Sequence, residues 1–182
     1  MVTEVITYLK GVDMKDNIVL IGFMGSGKSS VGLKLARVLD YKFLDTDAYI
    51  EEEYGDTIAT IFASEGEAGF RTLETKTLRK LKQNLHGYVI STGGGMPLRE
   101  ENVTLLHELG HVVFLKTSKE VIYERLKDDR SRPLLQGDNP MQKIEELLAY
   151  RTPIYEAAAD SVTMTDGESF YQIIKEIMDI IV

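Results

Sequence analysis

The sequence predicts an α/β protein, a parallel β-sheet covered by helices on both faces. Three observations point there. A short β-branched apolar run, Asn17-Ile-Val-Leu-Ile-Gly22, leads into a glycine-rich turn and then into helical spacing, which is how a βαβ unit opens. Further short apolar runs alternate with helical patterns along the rest of the chain, as in a sheet buried on both sides. With 182 residues, 43% hydrophobic and 27% charged, the chain suits one compact domain with a real core, so residues 1–182 are expected to form a single domain.

Residues 1–16 carry no clear pattern and read as an N-terminal extension without an assigned role. Residues 17–22 are the first strand. Lys28 to Leu39 follows as a helix, with Val31, Leu35 and Leu39 on one face. Lys42–Asp45, Tyr88–Thr92, His111–Leu115 and Ser161–Met164 read as four more strands, giving a central parallel five-stranded sheet. Helical patterns separate them, notably Glu67–Leu85, Lys119–Lys127, Met141–Ala159 and Glu168–Ile181. Two stretches look like excursions from this framework. The polar, helical segment at about 47–71 is a candidate substrate-binding insertion. The segment at about 128–140, rich in charge, Gly and Pro, is a candidate lid.

Composition excludes several classes. Acidic residues outnumber basic ones 29 to 21, for a formal charge of −8, which argues against a broad nucleic-acid footprint. It leaves room for a local positive pocket that binds a small anion. There is no cysteine, which removes disulfides, thiolate metal sites and cysteine nucleophiles, and fits a cytoplasmic protein. The opening MVTEVITYLK does not read as a signal peptide, and no apolar run approaches the ~18 residues of a membrane helix.

Gly22-Phe-Met-Gly-Ser-Gly-Lys-Ser29 matches G-x-x-x-x-G-K-[ST] at every fixed position. Glycines let the backbone curl so that successive N–H groups face phosphate oxygens, and the following helix adds the positive end of its dipole. In such a loop Lys28 reaches the β- and γ-phosphates and the Ser29 hydroxyl ligates Mg²⁺. The strand before it and the amphipathic helix after it are the right context. This motif establishes nucleoside triphosphate binding, not a reaction.

Four further features narrow the reaction. Asp45-Thr-Asp47 ends the second strand, at the sheet edge where ligands bind in open parallel sheets. Taken alone it reads equally well as a strand running into a helix capped by Asp47. Gly93, Gly94 and Gly95 follow the third strand and expose backbone N–H groups with no side chain in the way. Arg71 and Arg151 lie in separate helices, and if they converge they form a carboxylate clamp. Arg132, in the candidate lid, is placed to close over transferring phosphate.

The ordered set GxxxxGKS, DTD, GFRTLE, STGGG, SRPLL and YRTPIY, from about Ile18 to the C-terminus, resembles the shikimate kinases. That resemblance implies a three-layer P-loop kinase fold and transfer of the γ-phosphoryl of ATP to the 3-hydroxyl of shikimate, in aromatic amino acid biosynthesis. It implies ATP contacts from Gly25, Ser26, Gly27, Lys28, Ser29, Ser30, Arg125 and Arg132, with Arg125 stacking on adenine. Ser29, together with Asp45 through water, would hold Mg²⁺. Ser91 falls where the family keeps its Walker B variant. Shikimate contacts would come from Asp47, Arg71, Gly93, Gly94, Gly95 and Arg151. Lys28, Asp47 and Arg132 are the expected catalytic residues. The expected partners are shikimate and ATP alone, with no nucleic acid or membrane, and the expected state is a monomer. One departure stands out. Where some relatives carry an adenine-holding arginine after the last strand, this chain reads Met164-Thr-Asp-Gly-Glu168, leaving backbone or Asp166 for that contact.

Competing acceptors, such as gluconate or a nucleoside monophosphate, and a catalytically silent nucleotide-binding module remain the alternatives. His107-Glu-Leu-Gly-His111 fits the zinc-protease pattern H-E-x-x-H. Gly110 looks like a helix end, however, so the two imidazoles are expected to diverge. Tyr150, Tyr155 and Met164 read as packing residues.

Overall fold

The computed structural model describes residues 17–127 and 139–181. Five strands form one sheet: β1 Asn17–Ile21, β2 Lys42–Asp45, β3 Tyr88–Ser91, β4 His111–Lys116 and β5 Ser161–Met164. Their order is β2-β3-β1-β4-β5, and all pairings are parallel. Each strand lies within a residue of its expected position. The extension over residues 1–16 lies outside the described residues, as does most of the 128–140 segment, Arg132 included.

β1 is the middle strand, and every one of its residues is buried. Its alternation feeds two cores. Val19 and Ile21 join one with Leu78, Met96, Leu106 and Phe114. Ile18 and Leu20 join the other with Val31, Leu35 and Ile177. The second core is closed by α1 (Lys28–Leu39) and α7 (Phe170–Ile181). The first is closed by α3 (Ile58–Leu81), α4 (Glu100–Leu109), α5 (Lys119–Leu126) and α6 (Pro140–Ala158). Helices on both faces of a parallel sheet make the three-layer α/β arrangement, and they bury the strands' apolar side chains on both sides. Asn17 ties the edge of the sheet away from the strands' C-terminal ends. Its Nδ2 donates to Leu85 O and Leu109 O at 2.9 and 2.8 Å, and its Oδ1 accepts from Tyr88 N at 3.0 Å.

The 47–71 stretch consists of α2 (Thr46–Tyr54) and the first part of α3, around a small core of Ile50, Ile61 and Phe70. α3 is two helical parts that meet at Gly66, whose φ 69° and ψ 178° are not helical, so the part expected to begin at Glu67 does follow that break, preceded by a shorter part from Ile58. Left-handed φ is cheap only for glycine, so the chain can turn sharply there between the two helical parts. Among the described residues no helix is long and apolar enough to cross a membrane.

Candidate active site

Because β3 lies between β2 and β1, the loops that leave these three strands sit side by side at the sheet's C-terminal edge. The first carries Gly22 to Ser29. Gly25 and Gly27 have φ of 76° and 96°, a region other residues enter only at a cost. Gly27 caps α1 without a side-chain hydrogen bond, leaving first-turn N–H groups for an anion. Lys28 is buried, and its Nζ donates to Gly22 O and Phe23 O, both at 2.9 Å, so the ammonium is folded back on its own loop.

The second loop starts at Asp45. Its Oδ1 accepts from Asp47 N and Ala48 N at 3.1 and 3.4 Å, so Asp45, not Asp47, caps α2. Its other oxygen accepts from Ser29 Oγ at 2.8 Å, and Ser29 Oγ lies 3.3 Å from Ser91 Oγ. Ser29, Asp45 and Ser91 thus form a cluster of hard oxygen donors beside the phosphate loop. That donor set fits Mg²⁺, which prefers one or two protein oxygens and completes its shell with water and phosphate. Among the described residues there is no group of three or more His, Cys, Asp or Glu that could hold a metal ion.

The third loop carries the glycine run, and here the structure corrects one expectation. Gly93 N already donates to Thr46 Oγ1 at 3.0 Å, so this N–H is not displayed for a ligand. The glycines matter chiefly for the space they leave. A Cβ on Gly93 would lie 2.6 Å from Asp47 Oδ1 and 3.2 Å from Glu74 Oε1, and one on Gly95 would fall onto the Arg71 guanidinium. The run is held from below by Tyr155, whose hydroxyl donates to Gly94 O at 2.6 Å. Thr75 Oγ1 donates to Asn102 Oδ1 at 2.7 Å, and Asn102 Nδ2 donates to Met96 O at 2.9 Å, fixing the turn that follows.

Asp47, Arg71 and Arg151 come together around this run. Asp47 faces Gly93, and Arg71 faces Gly95. Arg151 interacts with Tyr155 beneath Gly94 and stacks on Phe23, with its guanidinium carbon 5.6 Å from the ring centroid. Arg71 Nη1 also donates to Glu74 Oε2 at 2.8 Å, and Nη2 lies 3.4 Å from Glu67 Oε1. Burial on its own disfavours the Arg71 charge, but Glu74 and Glu67 outweigh it and the pKa moves up. Glu74 is the opposite case. It is fully buried, and loss of water raises its carboxyl to about 7, assisted by the charge of Asp47 and only partly opposed by Arg71 and Arg99. Burial likewise raises the Tyr155 phenol, against the pull of Arg151 and Arg71. Glu74 Oε1 and Arg151 Nε are among the buried atoms that have no hydrogen-bond partner among the described residues.

A cavity of about 520 Å³ runs from the phosphate loop to Asp47 and Gly94, lined among others by Gly25, Lys28, Ser29 and Asp45, with Arg71 and Arg151 outside its lining. Ser30 also lines it, while Ser26 is buried in the loop wall. Arg125 is exposed above the phosphate loop and donates from Nη1 to Gly25 O at 2.8 Å. Asp166 accepts from Ser118 N with both carboxylate oxygens at 3.0 Å, so it serves the turn into α5. The residues not singled out from sequence are Glu74, Thr46 and Asn102. Of these, only Glu74 carried a signal, lying three positions after Arg71 on a helix, the spacing of an ion pair.

The H-E-x-x-H segment also differs from expectation. Gly110 does end α4, and His111 does begin β4. The imidazoles do not diverge, however. Nδ1 of His107 and of His111 lie 3.3 and 3.9 Å from different oxygens of Asp160. Glu108 points elsewhere, to Lys82. The cluster is a polar tie between α4 and the starts of β4 and β5.

The family described as shikimate kinase matches residues 24–182. A shikimate kinase from Actinobacillus pleuropneumoniae serotype 5b is 44% identical over 167 residues, covering 92% of this chain and 96% of that protein. The solved structure of a shikimate kinase from Acinetobacter baumannii in complex with shikimate superposes with a TM-score of 0.85 at 41% identity, covering 91% of this chain and 92% of the other. A gluconokinase structure from Sinorhizobium meliloti reaches a TM-score of 0.54 at 17% identity, covering 90% and 89%, a likeness of fold alone.

Proposed function

The chain belongs to the shikimate kinase family, and we propose that it transfers the γ-phosphoryl of ATP to the 3-hydroxyl of shikimate, giving shikimate 3-phosphate and ADP. The observation that carries this reading is the gathering of Asp47, Arg71 and Arg151 around Gly93–Gly95, one loop away from the phosphate cradle. An acid beside two guanidinium groups suits a hydroxy-acid. The acid addresses the hydroxyl, and the guanidinium groups address the carboxylate.

In this reading catalysis is alignment plus charge neutralisation, with no covalent intermediate. Lys28 leaves the Gly22 and Phe23 carbonyls for the β- and γ-phosphates. It exchanges its hydrogen bonds to those carbonyls for bonds to phosphate, and the residue is already buried in the loop. The first-turn N–H groups of α1 face the same phosphates. Ser29 and Asp45 would hold Mg²⁺, Asp45 through water, and the ion would supply neutralisation of phosphate charge. Asp47 orients the acceptor hydroxyl and takes its proton late, which does not demand a strong base in a loose transition state. Arg71 and Arg151 fix the carboxylate end, and Gly93–Gly95 admit the ring because they carry no side chains. Arg132, with the segment at 128–140 as a lid, closes over the phosphates and excludes water. The enzyme is read as a cytoplasmic monomer of one domain.

The test is an ADP-coupled assay over a panel of acceptors, with and without Mg²⁺. Shikimate-dependent, Mg²⁺-dependent ADP release supports the reading. Faster turnover on gluconate or a nucleoside monophosphate rejects shikimate as the acceptor.

A further inference from the structure

Arg125 makes a contact that stacking on a base does not require. Its Nη1 donates to Gly25 O, from a residue 100 positions away in the chain. Gly25 has φ 76°, and the neighbouring Leu126 packs over it, 3.1 Å from where a Cβ would stand. Arg125 Nη1 also lies 3.7 Å from where a Cβ of Gly27 would stand, and Gly27 is the uncapped N-cap of α1. The end of α5 therefore presses on two of the positive-φ glycines of the phosphate loop, Gly25 and Gly27.

The consequence follows from peptide geometry. Gly25 C=O and Ser26 N–H belong to one planar trans peptide and point in opposite directions. Arg125 holds the oxygen end, and Phe23 O accepts from the nitrogen end at 3.2 Å. This peptide plane is pinned at both ends before any ligand arrives. A glycine-rich loop has more freedom to lose than any other segment, and prior ordering removes part of that cost from anion binding. A guanidinium also bonds through its edge and leaves its faces open, so the contact does not compete with a base lying on the face.

We propose that Arg125 is a positioning residue for the phosphate loop. By holding Gly25 O it keeps the cradle in its binding shape, and so strengthens binding of a polyphosphate whether or not a base is attached. This rests on reading the loop as a triphosphate cradle. It does not depend on the acceptor.

The test compares the parent chain with Arg125→Ala and Arg125→Lys, using inorganic tripolyphosphate and ATP as probes in titration calorimetry. Amide hydrogen exchange at residues 25–27 of the ligand-free protein and the thermal midpoint are measured alongside. Arg125→Ala should keep its thermal midpoint, exchange faster at residues 25–27, and bind tripolyphosphate about ten-fold more weakly, the scale of one charge-assisted hydrogen bond. Arg125→Lys, which keeps a charged donor, should recover part of both effects. Weaker ATP binding with unchanged tripolyphosphate binding would mean that Arg125 serves the base alone, and would overturn the proposal. Weaker tripolyphosphate binding with unchanged exchange would reduce Arg125 to a distant charge and overturn it equally. Failure of the parent chain to bind tripolyphosphate would sink the cradle as well, whereas absence of shikimate turnover would touch only the acceptor assignment.

Discussion

Replacing Glu74 with Gln should change how stability depends on pH. Glu74 is completely buried, and its carboxyl is raised from 4.5 to about 7. At about 1.36 kcal/mol per pH unit, that gap is worth about 3 kcal/mol in total. Its sign follows from which state holds the proton. Between pH 4.5 and 7 the folded chain keeps Glu74 protonated while the unfolded chain releases the proton, so stability falls as pH rises. The contribution of the protonated carboxyl is complete below 4.5 and gone above about 7. Between pH 5 and pH 8 the parent chain should lose about 2.5 kcal/mol that Glu74→Gln does not lose. The variant also alters the hydrogen bond to Arg71, but a neutral amide makes that a constant offset, not a slope. Urea unfolding followed by circular dichroism at pH 5, 6, 7 and 8 reads the difference. With a slope near 2 kcal/mol/M for a chain of this size, the midpoints should drift apart by about 1 M. Shikimate KM should rise above pH 7 in the parent chain, as ionised Glu74 claims Arg71 and repels the substrate carboxylate, and stay flatter in the variant. Unfolding curves that differ by the same amount at every pH would refute the reasoning, because they would show that burial does not hold the proton on Glu74.

Three further outcomes test other parts of the site. Lys28→Ala should abolish turnover in the ADP-coupled assay while leaving the circular dichroism spectrum intact, since the Lys28 ammonium bonds carbonyls of its own loop and holds no helix or strand together. Arg71→Ala should raise shikimate KM by about 10- to 100-fold with a smaller effect on kcat, the scale of a charge-assisted contact remote from the reacting oxygen. Normal shikimate kinetics would contradict the clamp. Gly95→Ala places a methyl group where the Arg71 guanidinium lies. It should therefore raise shikimate KM while leaving ATP KM within about two-fold, since the phosphate loop is untouched.

Strand positions were legible because a strand buried on both faces must be a short, unbroken apolar run, and Asn17–Ile21 is one. The phosphate loop was legible because its chemistry is local, with glycine spacing, lysine and serine falling within eight consecutive residues. Helix ends were less so. The second part of α3 does start after the break at Gly66, as the expected Glu67–Leu85 range has it, but it ends at Leu81. Asp45 and Asp47 both suit a cap by type, and only the direction in which the chain leaves β2 decides between them. His107 and His111 were expected to diverge from the break at Gly110, and the carboxylate that gathers them, Asp160, is some 50 residues further along. Glu74 sat inside a quoted motif, but its burial depends on α3 packing against the glycine loop, which no local pattern records.

What turns these separate signals into a site is strand order. Chain order places Ser29, Asp45 and Gly93 far apart, and nothing in the periodicity of 17–22, 42–45 or 88–92 says which strand lies in the middle. With β3 between β1 and β2, Asp45 and Leu20 both register with Ser91, so the loops after β1 and β2 each leave the sheet one strand spacing from the loop after β3. Had β2 instead paired directly with β1, the glycine run would leave from the far side of β2, and Asp45 would separate it from the phosphate loop. The glycines are therefore a response to topology. A central strand flanked on both sides delivers an acid and a guanidinium onto its own loop, and only residues without side chains leave room for both.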